Sequence, residues 1–531
     1  MYRRLLLCAF LLAAVIGAAP AQYDILIQGG RIVDGTGAPW FVADLAIRGD
    51  TIVAIGPLGS AETALRLDAT GMVVAPGFID IHTHARRGIF QVPTAENYIR
   101  QGVTTLIEGQ DGSSPLPLRS FLEQLSRTPI SPNFGMLTGQ GSIREAVVGL
   151  ENRRATPAEI ARMKEIVRKA MLDGAFGLST GLFYVPGNYT PTEEVIELAK
   201  VAGQMGGIHI SHMRDEAAGV LESVRETIRI GEEGGLPTQV THHKIIGVAN
   251  WGRSQETLRL IAEARARGVD VTIDQYPYTA SSTATSAMFP QWSLAGGQGE
   301  FMKRLADPAQ RAKIKAGIVD RLKTDRGGGD PKNVVMASCG FDATLAGKNL
   351  AQLTAQRGRA VSFENAAETM IELQQKGGCQ GIFHAIAEED VERILRSRLT
   401  MIGSDGEIPI FGRGAPHPRS YGTFARVLGR YVRERRALTL EEAVRKMTSL
   451  PATRLKLADR GLLRPGMKAD VTVFDPARVA DKATFLQPHQ YAEGFAHVLV
   501  NGKPVVLNGK VTEERPGRVL YGPGYRSEPR P

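Results

Sequence analysis

Most histidines of this sequence lie in three short segments, and each segment follows an apolar run. Six of the ten histidines belong to this set: His82, His84, His209, His212, His242 and His243. Two imidazoles side by side are costly to bury without a partner, and neutral imidazole is a frequent ligand of zinc and related ions. The pattern therefore predicts a site for a divalent cation.

The elements that must position these histidines alternate between apolar strands and amphipathic helices. Eight strands are predicted, at residues 73–81, 104–108, 134–138, 175–179, 207–211, 238–241, 270–274 and 400–404. Such alternation predicts a parallel sheet, most simply a (β/α)8 TIM-like barrel, whose functional residues lie at the carboxyl ends of the strands. Strands 1, 5 and 6 would then end in histidines, and strand 8 would end at Asp405.

Strand geometry separates ligands from packed residues within these segments. His212 lies at the mouth of strand 5, whereas His209 lies inside the strand and is expected to be packed. Only one of two consecutive residues can face inward, and we select His242 because alternation keeps Lys244 on the same face. Asp405 could cap the following turn, but beside a metal and water a carboxylate accepts protons.

The two ends of the sequence differ from its middle in their pattern of apolar and turn-forming residues. Short alternating strands separated by tight turns occur at residues 22–72 and again at 455–531, which predicts one β-domain built from both ends. The barrel would span residues 73–454. Residues 284–387 fit poorly as one strand–helix unit and are interpreted as an insertion on the barrel.

The first 21 residues have the pattern of a secretory signal peptide. Arg3 and Arg4 precede an uncharged apolar run, and Ala19-Pro20-Ala21 is a small-x-small cleavage site. We therefore expect cleavage after Ala21 and export to the periplasm or the medium. In such an oxidising compartment Cys339 and Cys379 could pair, or they could remain two buried thiols.

Charge and hydropathy limit the range of partners. The formal net charge of +9 is modest and the basic residues are scattered, which argues against nucleic acid as a partner. No second apolar run is long enough to span a membrane. A small-molecule substrate is the partner that the sequence favours, and it does not specify the oligomeric state.

Several motifs together resemble the D-aminoacylases (N-acyl-D-amino-acid deacylases) of the amidohydrolase superfamily, and the similarity covers nearly the whole mature chain. The motifs are Asp-Ile-His-Thr-His at 80–84, Gly-Leu-Ser-Thr-Gly-Leu at 177–182, Ser-His-Met-Arg-Asp-Glu at 211–216, His-His-Lys at 242–244, Asp-Gln-Tyr-Pro-Tyr at 274–278, Ser-Asp-Gly at 404–406 and His-Pro-Arg at 417–419. The resemblance implies a β-sandwich beside a zinc-bearing barrel. It also implies hydrolysis of an N-acyl-D-amino acid to a free D-amino acid and a carboxylate.

The resemblance also implies roles for individual residues. His212 and His242 would bind the main zinc, while His82 and His84 would bind it weakly or hold a second metal. Asp405 would be the catalytic acid/base. The substrate carboxylate would be held by Tyr184, Lys244, Tyr276, Ser282 and Arg419. Lys244 and Arg419 suit this role physically, as a point charge and a planar fork.

One turn departs from the family pattern. D-aminoacylases resembling this chain place a cysteine ligand after strand 2, in a slot that Asp111 occupies here, and Glu108 ends the preceding strand. One of these two carboxylates is expected to replace the sulfur ligand. Oxygen is the harder donor, so the site could accept Mn²⁺ or Co²⁺ as well as Zn²⁺, and either one or two ions.

Three alternatives remain at the level of sequence. The first is a dipeptidase that accepts a C-terminal D-residue. The second is a hydantoinase- or dihydroorotase-like cyclic amidase, which needs no carboxylate clamp and should therefore tolerate Lys244→Ala and Arg419→Ala. The third is a non-catalytic, metal-holding envelope protein, for which Asp405→Asn should cost little beyond stability.

Overall fold

The computed structural model describes residues 22–526, so the predicted signal peptide, residues 1–21, lies outside the described residues. Its centre is a barrel of parallel strands, and each predicted strand is present with ends shifted by a few residues. The barrel strands, numbered 1 to 8 in chain order, are Phe78–Asp80, Val103–Glu108, Asn133–Met136 continued by Thr138–Gly139, Gly177–Gly181, Ile208–His212, Thr238–Val240, Val271–Gln275 and Thr400–Ile402.

The barrel closes between its last and first strands. Consecutive strands pair in parallel from strand 1 to strand 3 and from the continuation of strand 3 to strand 8. Just beyond the strand ends, a parallel bridge joins Thr83 to Gly406, and Asp405 N donates to His82 O at 2.8 Å. The predicted (β/α)8 architecture is confirmed, and its closure brings the predicted metal segment of strand 1 beside Asp405.

Amphipathic helices surround the barrel and begin at recognisable caps. The helix Pro157–Asp173 starts with a capping box between Thr156 and Glu159 and ends at Gly174, which has a left-handed backbone. The α-helices outside the insertion are Glu96–Ile99, Leu118–Ser126, Gln140–Val147, Pro157–Asp173, Thr192–Gln204, Val220–Gly234, Ser254–Ala266, Glu388–Arg396, Arg419–Arg426, Leu440–Met447 and Ser449–Leu455, with a π-helix at Val427–Glu434.

A second domain is built on one nine-stranded sheet that takes strands from both chain ends. Its long first strand has a bulge after Ile27, so its first half pairs with Thr63–Asp68 and its second half with Val73–Pro76. The strands are Tyr23–Ile32, Phe41–Arg48, Thr51–Gly56, Thr63–Asp68, Val73–Pro76, Val471–Phe474, Phe495–Val500, Lys503–Leu507 and Lys510–Val511.

The boundary between this β-domain and the barrel differs from the expected single strand over residues 73–81. Val73–Pro76 pairs with Val471–Phe474 in the β-domain, and only Phe78–Asp80 belongs to the barrel. Gly77 separates the two strands. A side chain is excluded at this position, because a Cβ would lie 2.3 Å from Thr104. The barrel therefore begins at Phe78, five residues later than the sequence pattern indicates.

The end of the chain also leaves the β-domain. Val519 bridges to Phe134 of barrel strand 3, and Gly522 N donates to Gly174 O at 2.9 Å. These contacts close the barrel face that lies opposite the predicted site. Among residues 22–526, no helix is long and apolar enough to cross a membrane.

The insertion between barrel strand 7 and helix Glu388–Arg396 folds around its own sheet and core. Gln380–Phe383 is the middle strand and pairs antiparallel with Ser281–Ala284 and Val334–Ser338. Its α-helices are Gly297–Ala306, Pro308–Thr324, Leu350–Gln356 and Phe363–Gln375. Cys339 and Cys379 form a disulfide at the ends of two of its strands, which selects the paired alternative.

Candidate active site

A cavity of about 530 Å³ opens at the carboxyl ends of the barrel strands. Asp111 and Asp405 lie on its barrel side. The insertion contributes Ser338 and Gln380 to its wall, and the loop after strand 8 contributes Arg413. The site is therefore enclosed by the barrel and by the insertion together.

Two groups of metal-ligating side chains lie beside this cavity and share Asp111. The first group is His82, His84, Asp111 and Asp405, and the second is Asp111, His212 and His242. Within each group the possible ligand atoms lie within 4.8 Å of one another. A shared carboxylate between two such groups is the arrangement that a pair of neighbouring cations requires.

Asp111 contacts histidines of both groups. Its Oδ1 lies 3.3 Å from His242 Nε2, and its Oδ2 lies 3.4 Å from His84 Nε2 and 3.6 Å from His212 Nδ1. The central position of Asp111 follows from the turn after strand 2, where its φ is +55°. His242 and Asp405 also have positive φ, +33° and +51°. Such conformations are unfavourable for these residues and concentrate at functional sites.

Burial and charge show that the two groups suit a cation. His82 Nε2 and Asp111 Oδ1 are buried, and within the described chain neither has a hydrogen-bond partner. Burial would lower the pKa of His84, but the hydrogen bonds that its ring donates to Asp111 and Asp405, together with their charges, outweigh burial and raise that pKa to about 10. A pocket that draws positive charge and offers unused imidazole and carboxylate lone pairs fits a divalent ion such as Zn²⁺, Mn²⁺ or Co²⁺.

Asp405 is held by an arginine on the side away from the histidines. Arg419 Nη1 donates to Asp405 Oδ2 at 2.7 Å, whereas Asp405 Oδ1 lies 3.1 Å from His84 Nε2. Burial alone would raise the pKa of Asp405, but the charge of Arg419 and the nearby His82 holds it well below its ordinary value. Asp405 is therefore an ionised, oriented carboxylate.

His82 is held on its Nδ1 side by residues at the ends of strands 6 and 7. Its Nδ1 lies 2.6 Å from Thr241 Oγ1 and 3.3 Å from Asp274 Oδ1, and Thr241 donates to Asp274 Oδ2 at 2.6 Å. A partner at Nδ1 leaves Nε2 as the ligand atom and sets the ring orientation. His209 has no such arrangement, because Thr180 and Thr238 occupy both of its nitrogens.

The structure directs the two consecutive histidines after strand 6 to opposite sides. His242 joins the second group, and His243 Nε2 lies 2.8 Å from Thr257 Oγ1 of a surrounding helix. The strand ends at Val240, so this division follows from the left-handed backbone at His242 rather than from strand alternation.

Glu108, the other predicted oxygen ligand, lies beside Arg86. Its Oε2 accepts a 3.0 Å hydrogen bond from Arg86 N, and its Oε1 lies 3.7 Å from Arg86 Nε. Glu108 belongs to neither group of possible ligands in the described residues. The backbone continues past Glu108 into the turn that places Asp111 in both groups of possible ligands.

The expected substrate-binding residues divide into two sets. Tyr184, Ser282 and Arg419 line the cavity. Tyr184 packs its ring 4.5 Å from the ring of His212, and its hydroxyl lies 3.1 Å from Thr283 Oγ1. Arg419 Nη2 reaches Ser282 O at 3.3 Å. These three residues lie where a substrate next to Asp405 would be in reach.

Lys244 and Tyr276 lie outside the set of described residues that line the cavity. The Lys244 ammonium donates to Glu216 Oε1 at 2.5 Å and to His242 O at 3.0 Å, and it lies 2.8 Å from His242 Nδ1. Two oxygens and one imidazole nitrogen of the protein therefore surround this ammonium group. Tyr276 is buried, and the guanidinium carbon of Arg419 lies 4.7 Å from the centre of the Tyr276 ring.

Sequence reasoning missed three buried charged residues around the site. Asp274 supports His82, Glu216 contacts His212 and His242, and Arg326 donates to Glu216 at 3.3 Å. Position alone could have indicated two of them, since Asp274 is near the end of strand 7 and Glu216 is four residues after His212. No local pattern marks Arg326, which belongs to the insertion.

Comparisons with known proteins agree with this geometry. The model of the Amidohydrolase family matches residues 67–506, and the chain belongs to this family. Within it, the chain is a member of the D-aminoacylase group, as the motifs indicate. A D-aminoacylase from Alcaligenes xylosoxydans xylosoxydans is 39% identical over 521 residues, which cover 94% of this chain and 97% of that protein.

Two solved structures extend the similarity to three dimensions. An N-acyl-D-glutamate deacylase from Bordetella bronchiseptica, complexed with zinc and a phosphonate mimic of the tetrahedral intermediate, is 36% identical with a TM-score of 0.81. A D-aminoacylase described by its binuclear metal centre gives the same identity, 36%, and the same TM-score, 0.81. Each comparison covers 94% of this chain and 100% of the relative.

Proposed function

We propose that this protein is a zinc-dependent hydrolase of N-acyl-D-amino acids that releases a free D-amino acid and a carboxylate. The observation that carries the proposal is the position of Asp405, at the cavity and between Arg419 and the pair His82 and His84. The relatives' substrates and the family motifs support the same reaction and the D configuration.

We assign the metal ligands from the two groups around Asp111. One ion would be held by Asp111, His212 and His242, and a second by His82 and His84 with Asp111. When bound, a divalent ion supplies Lewis acidity, which polarises an acyl carbonyl and makes water a stronger acid. The presence of oxygen rather than sulfur at position 111 leaves room for Mn²⁺ or Co²⁺ in place of Zn²⁺.

Asp405 performs the proton transfers in this proposal. Arg419 occupies Oδ2, so Oδ1 is the free oxygen on the side of the histidines and accepts the proton of the attacking water. The same oxygen then delivers the proton to the leaving nitrogen, which departs as an amine. Arg419 keeps the carboxylate in one orientation throughout.

The substrate carboxylate is assigned to the cavity wall rather than to Lys244. Arg419 uses one donor on Asp405 and one on Ser282 O, and a guanidinium has five donors. The remaining donors, with Tyr184 and Ser282 beside them, can bind a carboxylate. Lys244 has its acceptors within the protein, so it acts on the histidines and not on the substrate.

A dipeptide with a C-terminal D-residue is the second candidate substrate. Glu145 and Arg413 both line the cavity, and in residues 22–526 neither takes part in an ion pair. A carboxylate and a guanidinium that line the same cavity without an ion-pair partner suit a substrate with a free amine and a free carboxylate.

The test compares amino acid release from N-acetyl-D-amino acids, N-acetyl-L-amino acids and dipeptides by the purified zinc-loaded protein. Release from the D-acyl substrates, and its loss in Asp405→Asn, would support the proposal. Release from dipeptides alone would favour the second candidate. Absence of release from every linear amide would contradict both.

We also propose that the mature protein is exported after cleavage behind Ala21. The leader pattern of residues 1–21 motivates this assignment. The Cys339–Cys379 disulfide supports it, because such bonds persist in oxidising compartments. Finding the protein in the periplasm or medium with Gln22 as its first residue would support export, whereas an uncleaved protein in the cytoplasm would contradict it.

A further inference from the structure

Glu216 lies behind both histidines of the second metal group. Its Oε1 is 3.2 Å from His242 Nδ1, and its Oε2 is 3.8 Å from His212 Nε2. These are the ring nitrogens on the far side from the other ligands, since His242 Nε2 and His212 Nδ1 face each other at 2.6 Å and also face Asp111. Glu216 is thus within hydrogen-bonding reach of His242 Nδ1, whereas it lies only at ion-pair distance from His212 Nε2, which has no hydrogen-bond partner among the described residues.

Two cations hold this carboxylate, and they come from different parts of the fold. Lys244 follows barrel strand 6 and donates to Glu216 Oε1 at 2.5 Å. Arg326 belongs to the insertion and donates through Nη2 to Glu216 Oε2 at 3.3 Å. Arg326 is only 2% exposed, and its guanidinium lies 4.4 Å from the ring centre of Phe183. The insertion thus places a buried positive charge next to the metal groups.

Close packing of the backbone around Arg326 fixes the position of this residue. It begins the Arg-Gly-Gly-Gly-Asp segment at 326–330, where a Cβ at Gly327 would meet Leu322 Cα at 2.3 Å. Gly328 has a φ of +56°, and a Cβ there would meet His384 O at 2.5 Å. This close-packed turn, which side chains would obstruct, fixes the start of the arginine side chain.

We propose that Glu216, held by Arg326 of the insertion, is a positioning residue that orients His212 and His242 for metal binding. The inference rests on the proposed function, because it concerns the same metal centre. Ligating histidines are oriented by hydrogen-bonding partners on their second nitrogen, and loss of such partners typically weakens metal binding by about 10- to 100-fold. The insertion is thereby a structural part of the metal centre as well as a wall of the cavity.

The test measures the zinc dissociation constant of the full-length mature protein by competition with a chromogenic chelator. Glu216→Asp keeps the negative charge but withdraws the carboxylate from the rings, so we expect zinc binding to weaken by on the order of 10-fold or more. A dissociation constant equal to that of the wild type would overturn the proposal. This readout does not depend on hydrolysis.

The Arg326→Met substitution distinguishes a positioning role from a purely electrostatic one, because the two roles predict opposite changes in zinc affinity. Removal of a positive charge near a cation site would by itself tighten zinc binding. If Arg326 instead positions Glu216, its removal weakens zinc binding, and Arg326→Lys restores part of the loss. Tighter binding by Arg326→Met would contradict the proposal. This variant also decides the matter if Glu216→Asp fails to fold.

Glu194→Asp is the matched control for loss of a buried ion pair. Glu194 pairs with Arg144 in a similarly buried position, and it belongs to neither metal group. We expect this control to lower thermal stability without changing the zinc dissociation constant. A wild-type protein that binds no zinc would refute the proposed function itself, whereas wild-type affinity in both site variants would refute only the positioning role.

Discussion

Arg419 and Asp405 form a buried ion pair in which the two oxygens of the carboxylate have different partners. Arg419 Nη1 holds Oδ2 at 2.7 Å, and Oδ1 faces His84 Nε2 at 3.1 Å. Asp405 therefore cannot rotate without breaking a charge-assisted hydrogen bond. One oxygen is structural and the other is available for proton transfer.

The substitution Asp405→Asn tests this division. An amide of the same shape cannot accept the proton, so we expect kcat to fall by about 10²- to 10⁴-fold. Metal content should remain close to that of the wild type if His212, His242 and Asp111 hold the main ion. A variant with nearly unchanged turnover would contradict the role of Asp405 and favour a non-catalytic protein.

Asp111→Cys tests the effect of ligand chemistry at the shared position. A thiolate favours zinc over manganese, whereas a carboxylate discriminates less between them. We expect the ratio of manganese to zinc dissociation constants to be larger in Asp111→Cys than in the wild type. Asp111→Ala should reduce the content of both ions, because both groups lose a ligand.

Glu108→Gln is the control for these variants. Glu108 is as buried as a ligand would be, but its carboxylate serves Arg86. Metal content and the manganese-to-zinc ratio should match the wild type. If Glu108→Gln lost metal while Asp111→Ala kept it, the assignment of the oxygen ligand would be reversed.

The Cys339–Cys379 disulfide should stabilise the insertion. It joins residues separated by 40 positions, and the chain-entropy model gives about 4 kcal/mol for a loop of this length. We expect a reducing agent, or the Cys339→Ser, Cys379→Ser double variant, to speed proteolysis within residues 284–387. The barrel should resist cleavage under the same conditions, and equal cleavage rates in oxidised and reduced protein would argue against a stabilising bond.

Lys446 should make stability depend on alkaline pH. Burial lowers the pKa of its ammonium from 10.5 to about 8, although it donates to Thr400 O at 3.2 Å. Between these two pH values the Lys446 amine is more protonated in the unfolded chain than in the folded protein. The free energy of unfolding therefore rises with pH above about 8, and the gain is complete above about 10.5. The full effect is on the order of 3 kcal/mol.

Thermal unfolding of Lys446→Met and of wild-type protein between pH 7 and 10 measures this contribution. As pH rises, the melting temperature of the wild type should increase relative to that of Lys446→Met. Lys510→Met, at an exposed lysine of the β-domain, should show no such trend. A pH-independent difference for Lys446→Met would refute the predicted linkage.

Much of the fold follows from periodicity in the sequence. The strand at residues 238–241 and the helix Thr192–Gln204 show the two repeating patterns, and their alternation predicts the barrel. The boundary at Gly77 could not be located in this way, because apolar residues lie on both sides of it. Only the pairing of Val73–Pro76 with Val471–Phe474, some 400 residues away, assigns the first half to the β-domain.

In the candidate site, some residues are placed by the barrel strands and could be predicted, whereas others are placed only by long-range tertiary contacts. His82, His84, His212 and Asp405 follow strands whose carboxyl ends meet, so their proximity is a consequence of the barrel. The orientation of Lys244 was not accessible, because it depends on Glu216 and on the left-handed backbone at His242. Arg326 reaches the site only through the tertiary fold of the insertion, for which the sequence has no periodic signal.

The most direct test of the account is the release of free amino acid by purified, zinc-loaded mature protein from paired N-acetyl-D- and N-acetyl-L-amino acids. Metal content is measured on the same sample. We predict one or two ions per chain and release from the D-enantiomers in preference to the L-enantiomers, with the activity abolished in Asp405→Asn. Bound metal without release of amino acid from either enantiomer would contradict the proposed reaction.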